Sequence, residues 1–302
     1  MILAHVGGPV LAPLQLAIPA AAAILYALRA RELARRGKPV PGWRQGCWYA
    51  GILVVALTLV SPLAHIADEL FLAHMAEHLL IADIGALLLV LGLTGPLLAP
   101  ALRIRMVDRL RFLVHPVVAL CVWALNLYAW HLPALHEAAV RHDALHALQH
   151  TCFVVAGVNA WMALLGPLPK PAWFGNVARL GYVLVMCLVG AVLGNVLVFG
   201  GHAFYGVYAA GEASHGLSPL ADQNTAGAIM MVEGSILTIV LLGWLFLRAA
   251  READERQELL DLAGARGVEL SENRAARAVA AGRGAELRRR LESGEPTGGR
   301  AG

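Results

Sequence analysis

Seven apolar segments, each close to the length that crosses a membrane, constrain the fold of this chain more than any other feature of its sequence. The first ends at Leu28, and the others cover residues 47–64, 70–98, 115–132, 144–165, 179–201 and 226–248. A helix needs about 20 mostly apolar residues to cross the hydrocarbon core of a bilayer. With 58% hydrophobic and only 15% charged residues, the chain is too apolar for an ordinary soluble domain. We therefore predict an all-α polytopic membrane bundle of about seven transmembrane helices.

The basic residues predict how these helices are oriented. Of the 24 Lys and Arg residues, 23 lie in the segments 29–46, 99–114 and 166–179 or in the tail from Arg248, and Arg141 alone lies in the other connections. Positively charged residues collect on the cytoplasmic side of a membrane. We therefore place the N-terminus outside and the C-terminus inside. The net charge of +3 then reflects topology, and no nucleic-acid partner is predicted.

The last part of the chain differs in composition from the apolar segments. Between Arg248 and Gly302 there are eleven basic and ten acidic residues. Charge-balanced sequence of this kind is typical of a solvated helix or of disorder. We predict a transmembrane domain over residues 1–248 and a charged cytoplasmic tail over residues 249–302, helical without an apolar face and disordered at its end.

Two pairs of histidines are the most informative polar residues within the apolar segments. His74 and His78, with Glu77 between them, stand near the start of the third segment, and His146 and His150 stand near the start of the fifth. Residues four apart on an α-helix lie about 40° apart around the axis and about 6 Å along it, so each pair occupies one face. Ionisable residues inside a membrane usually face the bundle interior. The pairs therefore predict a metal or haem site between neighbouring helices, although a polar cluster that only holds helices together would use the same residues.

Most of the histidines fall on the same predicted side of the membrane. Eleven of the twelve lie at or near the outer ends of the helices, and His115 is the exception. This asymmetry favours a site outside the cytoplasm. No two of the four cysteines have Cys-x-x-Cys spacing, so neither a disulfide framework nor a thiolate metal site is indicated.

Two further residues are candidate metal ligands. His131 lies in Trp-His-Leu-Pro at the outer end of the fourth segment, where a lone histidine is also a common helix-end residue. Asp222 precedes the seventh segment, where it could either N-cap that helix or act on the metal as a ligand or by orienting a histidine. Met75 is expected to pack, although a thioether would also suit cuprous copper. Solvent exposure is expected for the histidines of the connecting segments, His136, His142, His202 and His215.

Four motifs occur together, in the order His74-Met-Ala-Glu-His78-Leu-Leu, Trp130-His-Leu-Pro133, His146-Ala-Leu-Gln-His150 and Gly216-Leu-Ser-Pro-Leu-Ala-Asp-Gln223. In order and spacing they resemble the CtaG-type (caa-type oxidase) cytochrome c oxidase assembly factors of bacterial membranes, over residues 10–248. The resemblance implies a seven-helix protein of the bacterial plasma membrane that assists maturation of a haem-copper oxidase, with copper delivery as its role. It also implies that the partners are oxidase subunits, membrane lipids and other copper chaperones, and that the protein is not an enzyme.

Copper fits this location best, but the ligand types alone leave other functions open. Imidazole binds copper, zinc, iron and nickel, and the affinity order favours Cu(II). A haem-binding or quinone-linked redox protein would use histidines from two facing helices. A membrane metallohydrolase or a transporter is the remaining class. In the zinc metalloprotease motif the glutamate directly follows the first histidine, whereas Glu77 directly precedes the second, which argues against the hydrolase.

Overall fold

The structure is a computed structural model that describes residues 12–60 and 62–293. Every regular element in these two ranges is a helix, which confirms the predicted all-α class. The chain divides into two compact units, the first ending at Thr238 and the second beginning at Ile239. His5 and the end of the tail predicted to be disordered, residues 294–302, lie outside the described residues.

The first unit contains the helices α1 (Ala12–Arg35), α2 (Gly42–Val60), α3 (Phe71–Gly92), α4 (Pro116–Trp130), α5 (Pro133–Arg141), α6 (Asp143–Leu165), α7 (Asn176–Phe199) and α8 (Ala209–Ser214). Helix α9 (Pro219–Ala265) begins in the first unit and ends in the second, which also holds α10 (Glu272–Ala280) and α11 (Gly284–Ser293). Shorter helical segments are Pro62–Ala67, Gly95–Leu98, Ala101–Arg103, Arg105–Arg109, Leu110–Val114 and Gly206–Tyr208.

By length and composition, five of these helices could cross a membrane: α2, α3, α6, α7 and α9. A sixth span is reached if α4 and the segment Arg105–Val114 before it, bent by 82°, count as one. Both numbers refer to the part of the chain that the structure describes. The first expected span, which ends at Leu28, begins outside that part and overlaps α1. Seven spans and the orientation of the termini therefore stay predictions.

Helix α3 is interrupted near its middle. Phe71–Leu79 is α-helical, Leu80–Gly85 is π-helical and Ala86–Gly92 is α-helical again. A π-helical segment has i to i+5 hydrogen bonds and frequently occurs at functional sites. The sequence predicts one helical span over residues 70–98, whereas the observed helix ends at Gly92 and contains this irregular turn directly after the His74–His78 motif.

Two glycines let α3 approach its neighbours closely. A Cβ atom added at Gly157 in α6 would lie 2.1 Å from the carbonyl oxygen of Ala82 in α3. A Cβ atom added at Gly51 in α2 would lie 2.9 Å from the backbone nitrogen of Leu89. Both distances are too short for a real side chain, and small residues are what allow such backbone approach between membrane helices. Helices α3 and α6 are therefore direct neighbours, as the two histidine pairs predict.

Large apolar and aromatic side chains fill the space around the first turns of α3. They come from α3, α4, α6, α7 and the connection between α7 and α8, and they include Phe71, Met75, Leu127, Trp130, Phe153, Leu197, Tyr205 and Tyr208. All of these side chains are buried. The histidine-bearing end of α3 is thus enclosed by packed, largely apolar groups.

The second unit has a small apolar core of its own, although the sequence predicts a tail with no apolar face. Leu259, Ala263, Val279, Leu287 and Leu291, from α9, α10 and α11, pack together and are buried. This part of the prediction is wrong because helical periodicity gathers a few apolar residues on one side of each helix even where the charge content is high. The expected boundary at residue 248 falls inside α9, which continues unbroken to Ala265.

Candidate metal centre

The two histidine pairs lie on facing surfaces of α3 and α6. The ring centroids of His74 and His78 are 4.4 Å apart and those of His146 and His150 are 4.2 Å apart, because residues four apart share a helix face. Between the helices, His74 stacks on His146 at 5.0 Å with 11° between the ring planes. His78 meets His150 edge to face at 5.4 Å. The four buried imidazoles, the histidine cluster, therefore converge as the sequence predicts.

Seven ring nitrogens of the histidine cluster make no hydrogen bond with any described residue. They are both ring nitrogens of His74, His78 and His146, and Nε2 of His150, and all are buried. A buried polar atom without a partner costs about 1–3 kcal/mol, and such an atom in a native protein usually marks water or an ion. A polar cluster that served only to join the helices would hydrogen-bond across the interface. The nitrogens of this cluster do not, among the described residues, so helix joining alone does not account for them.

Glu77 adds a carboxylate to the histidine cluster. Its Oε2 lies 3.6 Å from Nε2 of His150, beyond hydrogen-bonding distance, and has no hydrogen-bond partner in the described ranges. Two groups of three residues each have ligand atoms within 4.8 Å of one another: His74, His78 and His146, and Glu77, His146 and His150. Ligand atoms about 2 Å from one metal are about 3.3 Å from each other in tetrahedral geometry, so small side-chain shifts are enough for either group to bind an ion. His146 belongs to both groups.

His136 lies beside the histidine cluster, although the sequence predicts that it is solvated. It is fully buried in α5, its ring centroid is 4.7 Å from that of His74, and its Nε2 lies 2.8 Å from the hydroxyl of Tyr208. Burial, with a smaller effect of nearby His131, lowers the pKa of His136 to about 3, so the ring is neutral at physiological pH. The prediction is wrong because the short helix α5 folds against the bundle, which local sequence does not show.

His131 is also buried, at the end of α4. Its Nδ1 lies 2.7 Å from the backbone oxygen of Leu127, one helical turn earlier. Its Nε2 lies 3.3 Å from Sδ of Met75, the residue after His74. The hydroxyl of Tyr205 donates a hydrogen bond to the backbone oxygen of His131 at 2.8 Å. His131 is thus held at three points, and it lies beside the histidine cluster without belonging to either ligand group.

Asp222 binds backbone groups at the start of α3. Its carboxylate accepts hydrogen bonds from the backbone N–H of Phe71 at 2.7 Å and of Leu72 at 3.0 Å. The expected N-cap of its own helix is a different residue, since α9 begins at Pro219 and the hydroxyl of Ser218 accepts from the N–H of Ala221. Asp222 therefore satisfies two of the free N–H groups at the N-terminus of the helix that carries His74 and His78.

The family model for the cytochrome c oxidase caa3 assembly factor (Caa3_CtaG) matches residues 24–252, most of the chain. The chain belongs to this family. No curated protein and no solved structure matches it. For this member of the caa3 assembly factor family, the matched range includes both histidine pairs, His131 and Asp222.

Three other histidines of this caa3 assembly factor family member have the solvent exposure that the sequence predicts. His142, His202 and His215 are exposed, and His215 pairs with Glu69 at 2.8 Å. Sequence reasoning missed Gln149, which lies in α6 between His146 and His150, is fully buried, and has neither side-chain polar atom bonded to any described group. Helical spacing could have found Gln149, because it lies three residues after His146 on the same face.

Proposed function

We propose that this caa3 assembly factor family member binds copper transiently at the histidine cluster and delivers it to the oxidase. In this proposal the chain crosses the bacterial plasma membrane seven times, with the N-terminus and the cluster on the outer side. Its partners are oxidase subunits, lipids and other copper chaperones. The role is assembly, and no catalytic step is assigned to it.

One observation carries the proposal: seven buried ring nitrogens and one carboxylate oxygen face one another without hydrogen-bond partners among the described residues. Buried polar groups of this kind are stabilised when they bind water or an ion. Imidazole and carboxylate together are ligands that divalent copper accepts. Thiolates, which hold copper most tightly, are not part of the set. A site of this composition suits an ion that must later be released.

The packing of the rings favours a small ion over haem. Neighbouring imidazole centroids of the cluster are between 4.2 and 5.4 Å apart. A haem held by histidines of both helices would have to fit its flat macrocycle between these rings. An ion needs only the small contraction described above.

The other candidate site residues receive different roles in this proposal. His74, His78, His146 and His150 are the nitrogen ligands, and Glu77 is either a ligand or a charge that orients His150. Asp222 is a positioning residue, because its carboxylate already binds two backbone N–H groups. His131 faces Met75 and lies outside both ligand groups.

The test is metal analysis and an absorption spectrum of the protein purified in mild detergent. The wild-type protein should retain copper and lack haem absorbance. His146→Ala removes the residue common to both ligand groups and should lower Cu(II) affinity most. Loss of a residue that merely supports a ligand costs about 10–100-fold in metal affinity, so loss of this ligand should cost at least about 10-fold.

His142→Ala is the matched control, since His142 lies one turn before His146 and is exposed. This variant should bind copper like the wild type. In cells, excess copper should partly restore oxidase activity to single-ligand variants, because mass action compensates for a weakened site. Full copper binding by a His74→Ala, His146→Ala double variant would falsify the proposed site.

A further inference from the structure

A second pair of potential ligands lies beside the histidine cluster. Nε2 of His131 and Sδ of Met75 are 3.3 Å apart, and only 6% of His131 and 1% of Met75 is exposed. The pair joins the end of α4 to the first turns of α3. Neither atom belongs to the two ligand groups of the histidine cluster.

The proton of His131 is not between these two atoms. A backbone carbonyl can only accept a hydrogen bond, so the 2.7 Å contact with the oxygen of Leu127 places the ring proton on Nδ1. The neutral imidazole then has its lone pair on Nε2, facing the thioether. A thioether sulfur has no proton to donate. Two lone pairs therefore face each other in a buried space, an arrangement that a cation between them would stabilise.

Sulfur determines which cation fits this pair. Thioether is a soft ligand that selects Cu(I), whereas the imidazole and carboxylate groups of the histidine cluster also suit divalent ions. Taking the zinc distances of about 2.0 Å to nitrogen and about 2.3 Å to sulfur as a guide, the linear arrangement that two-coordinate Cu(I) favours would place the two ligand atoms about 4.3 Å apart, about 1 Å further than they are. The unbranched Met75 side chain has three rotatable bonds and can move its sulfur by that amount.

Aromatic rings lie between the Met75–His131 pair and the histidine cluster, which are close to each other. The ring of Phe153 stacks on His78 at 4.2 Å and meets His131 edge to face at 6.3 Å. On another side, His136 lies 6.4 Å from His131 and 4.7 Å from His74. An ion at Met75 and His131 would therefore occupy a position distinct from the histidine cluster but only one residue layer away.

We propose that Met75 and His131 form a second, soft metal site that holds reduced copper as Cu(I). The inference rests on the proposed copper function and extends it, since it assigns the oxidation state of the ion at this position. It also gives the protein two neighbouring metal positions that prefer different ions. Imidazole and carboxylate groups form the position at the histidine cluster, and an imidazole and a thioether form the position at Met75 and His131.

The test is anaerobic titration of the detergent-purified protein with Cu(I) against a chromogenic Cu(I) chelator, combined with X-ray absorption of the loaded protein. The wild type should show a sulfur neighbour of copper. Met75→Leu, which conserves volume, should lose that sulfur signal and at least about 10-fold in Cu(I) affinity. Met230→Leu is the matched control, because Met230 is another buried methionine of the same apolar cluster. This variant should keep both the sulfur signal and the Cu(I) affinity of the wild type.

A Zn(II) titration separates the two sites. Met75→Leu should bind Zn(II) like the wild type, whereas His146→Ala should lose Zn(II) binding and keep the sulfur signal with Cu(I). Wild-type protein that binds Cu(I) through nitrogen and oxygen only would overturn the soft site and leave the proposed function standing. Protein that binds copper in neither oxidation state would overturn both.

Discussion

Replacing Gly157 with alanine should weaken copper binding without changing any ligand. The new Cβ atom would lie 2.1 Å from the carbonyl oxygen of Ala82 and 3.1 Å from Cβ of Ala86, whereas ordinary contacts are 3.4 Å or longer. The nearer atom is backbone and has no rotamer with which to move away. Helices α3 and α6 must therefore separate locally by roughly 1 Å, at a cost typical of overpacking, about 1–3 kcal/mol.

This separation would act on the histidine cluster because the contact lies close to it. Ala82 is one helical turn after His78, and Gly157 is about two turns after His150. A binding site needs its ligands held within about 0.5 Å of the productive geometry. A shift of roughly 1 Å between the two halves of the ligand set should therefore lower Cu(II) affinity at least about tenfold, which corresponds to about 1.4 kcal/mol.

The assay is a competitive Cu(II) titration together with thermal unfolding, both on detergent-purified protein. Gly190→Ala in α7 is the control, since a Cβ atom added there meets nothing within 4 Å. That variant should bind copper normally and be as stable as the wild type or slightly more so, because alanine is the better helix former. If Gly157→Ala matched the wild type in both affinity and unfolding temperature, α3 and α6 would not be packed as described.

Three further outcomes follow from the charge pattern and the contacts of the chain. Asp222→Ala should destabilise the protein by about 1–2 kcal/mol, as loss of a helix cap does, and Asp222→Asn, which keeps one acceptor oxygen, by about half of that; unchanged unfolding temperatures for both would exclude the capping role. A reporter fused after Gly302 should be active only in the cytoplasm and one inserted at Gly216 only outside, whereas the reverse would contradict the orientation. Truncation after Ala253 should leave membrane accumulation and copper affinity unchanged, and loss of accumulation would show that the tail is needed for the membrane fold.

The convergence of the histidine cluster could be predicted from sequence because it depends on local geometry. Each pair has i, i+4 spacing, and a helix places such residues on one face whatever surrounds it. Burial of polar residues inside a bundle then brings the two faces together. The same reasoning applied to Gln149 would have predicted that it is buried.

The features that could not be predicted from the sequence depend on contacts between distant parts of the chain. The burial of His136 requires the short helix α5 to fold back on the bundle. The partner of Asp222 is likewise remote, so the rule that an acidic residue near a helix start caps that helix selected the wrong helix. For the tail, average charge obscured the few apolar residues that pack together.

The contact between Asp222 and the start of α3 has a consequence for biosynthesis. The ribosome produces Phe71 long before Asp222, since 151 residues separate them. At about 5–20 residues per second, roughly 8–30 s pass between the synthesis of the first partner and that of the second. Until the last span arrives, the N–H groups at the start of α3 lack this acceptor, and the helix end that carries His74 is not yet fixed. Completion of the proposed copper site would therefore come after membrane insertion of the final span, and a stalled or prematurely terminated chain would carry the histidines of the cluster without the finished site.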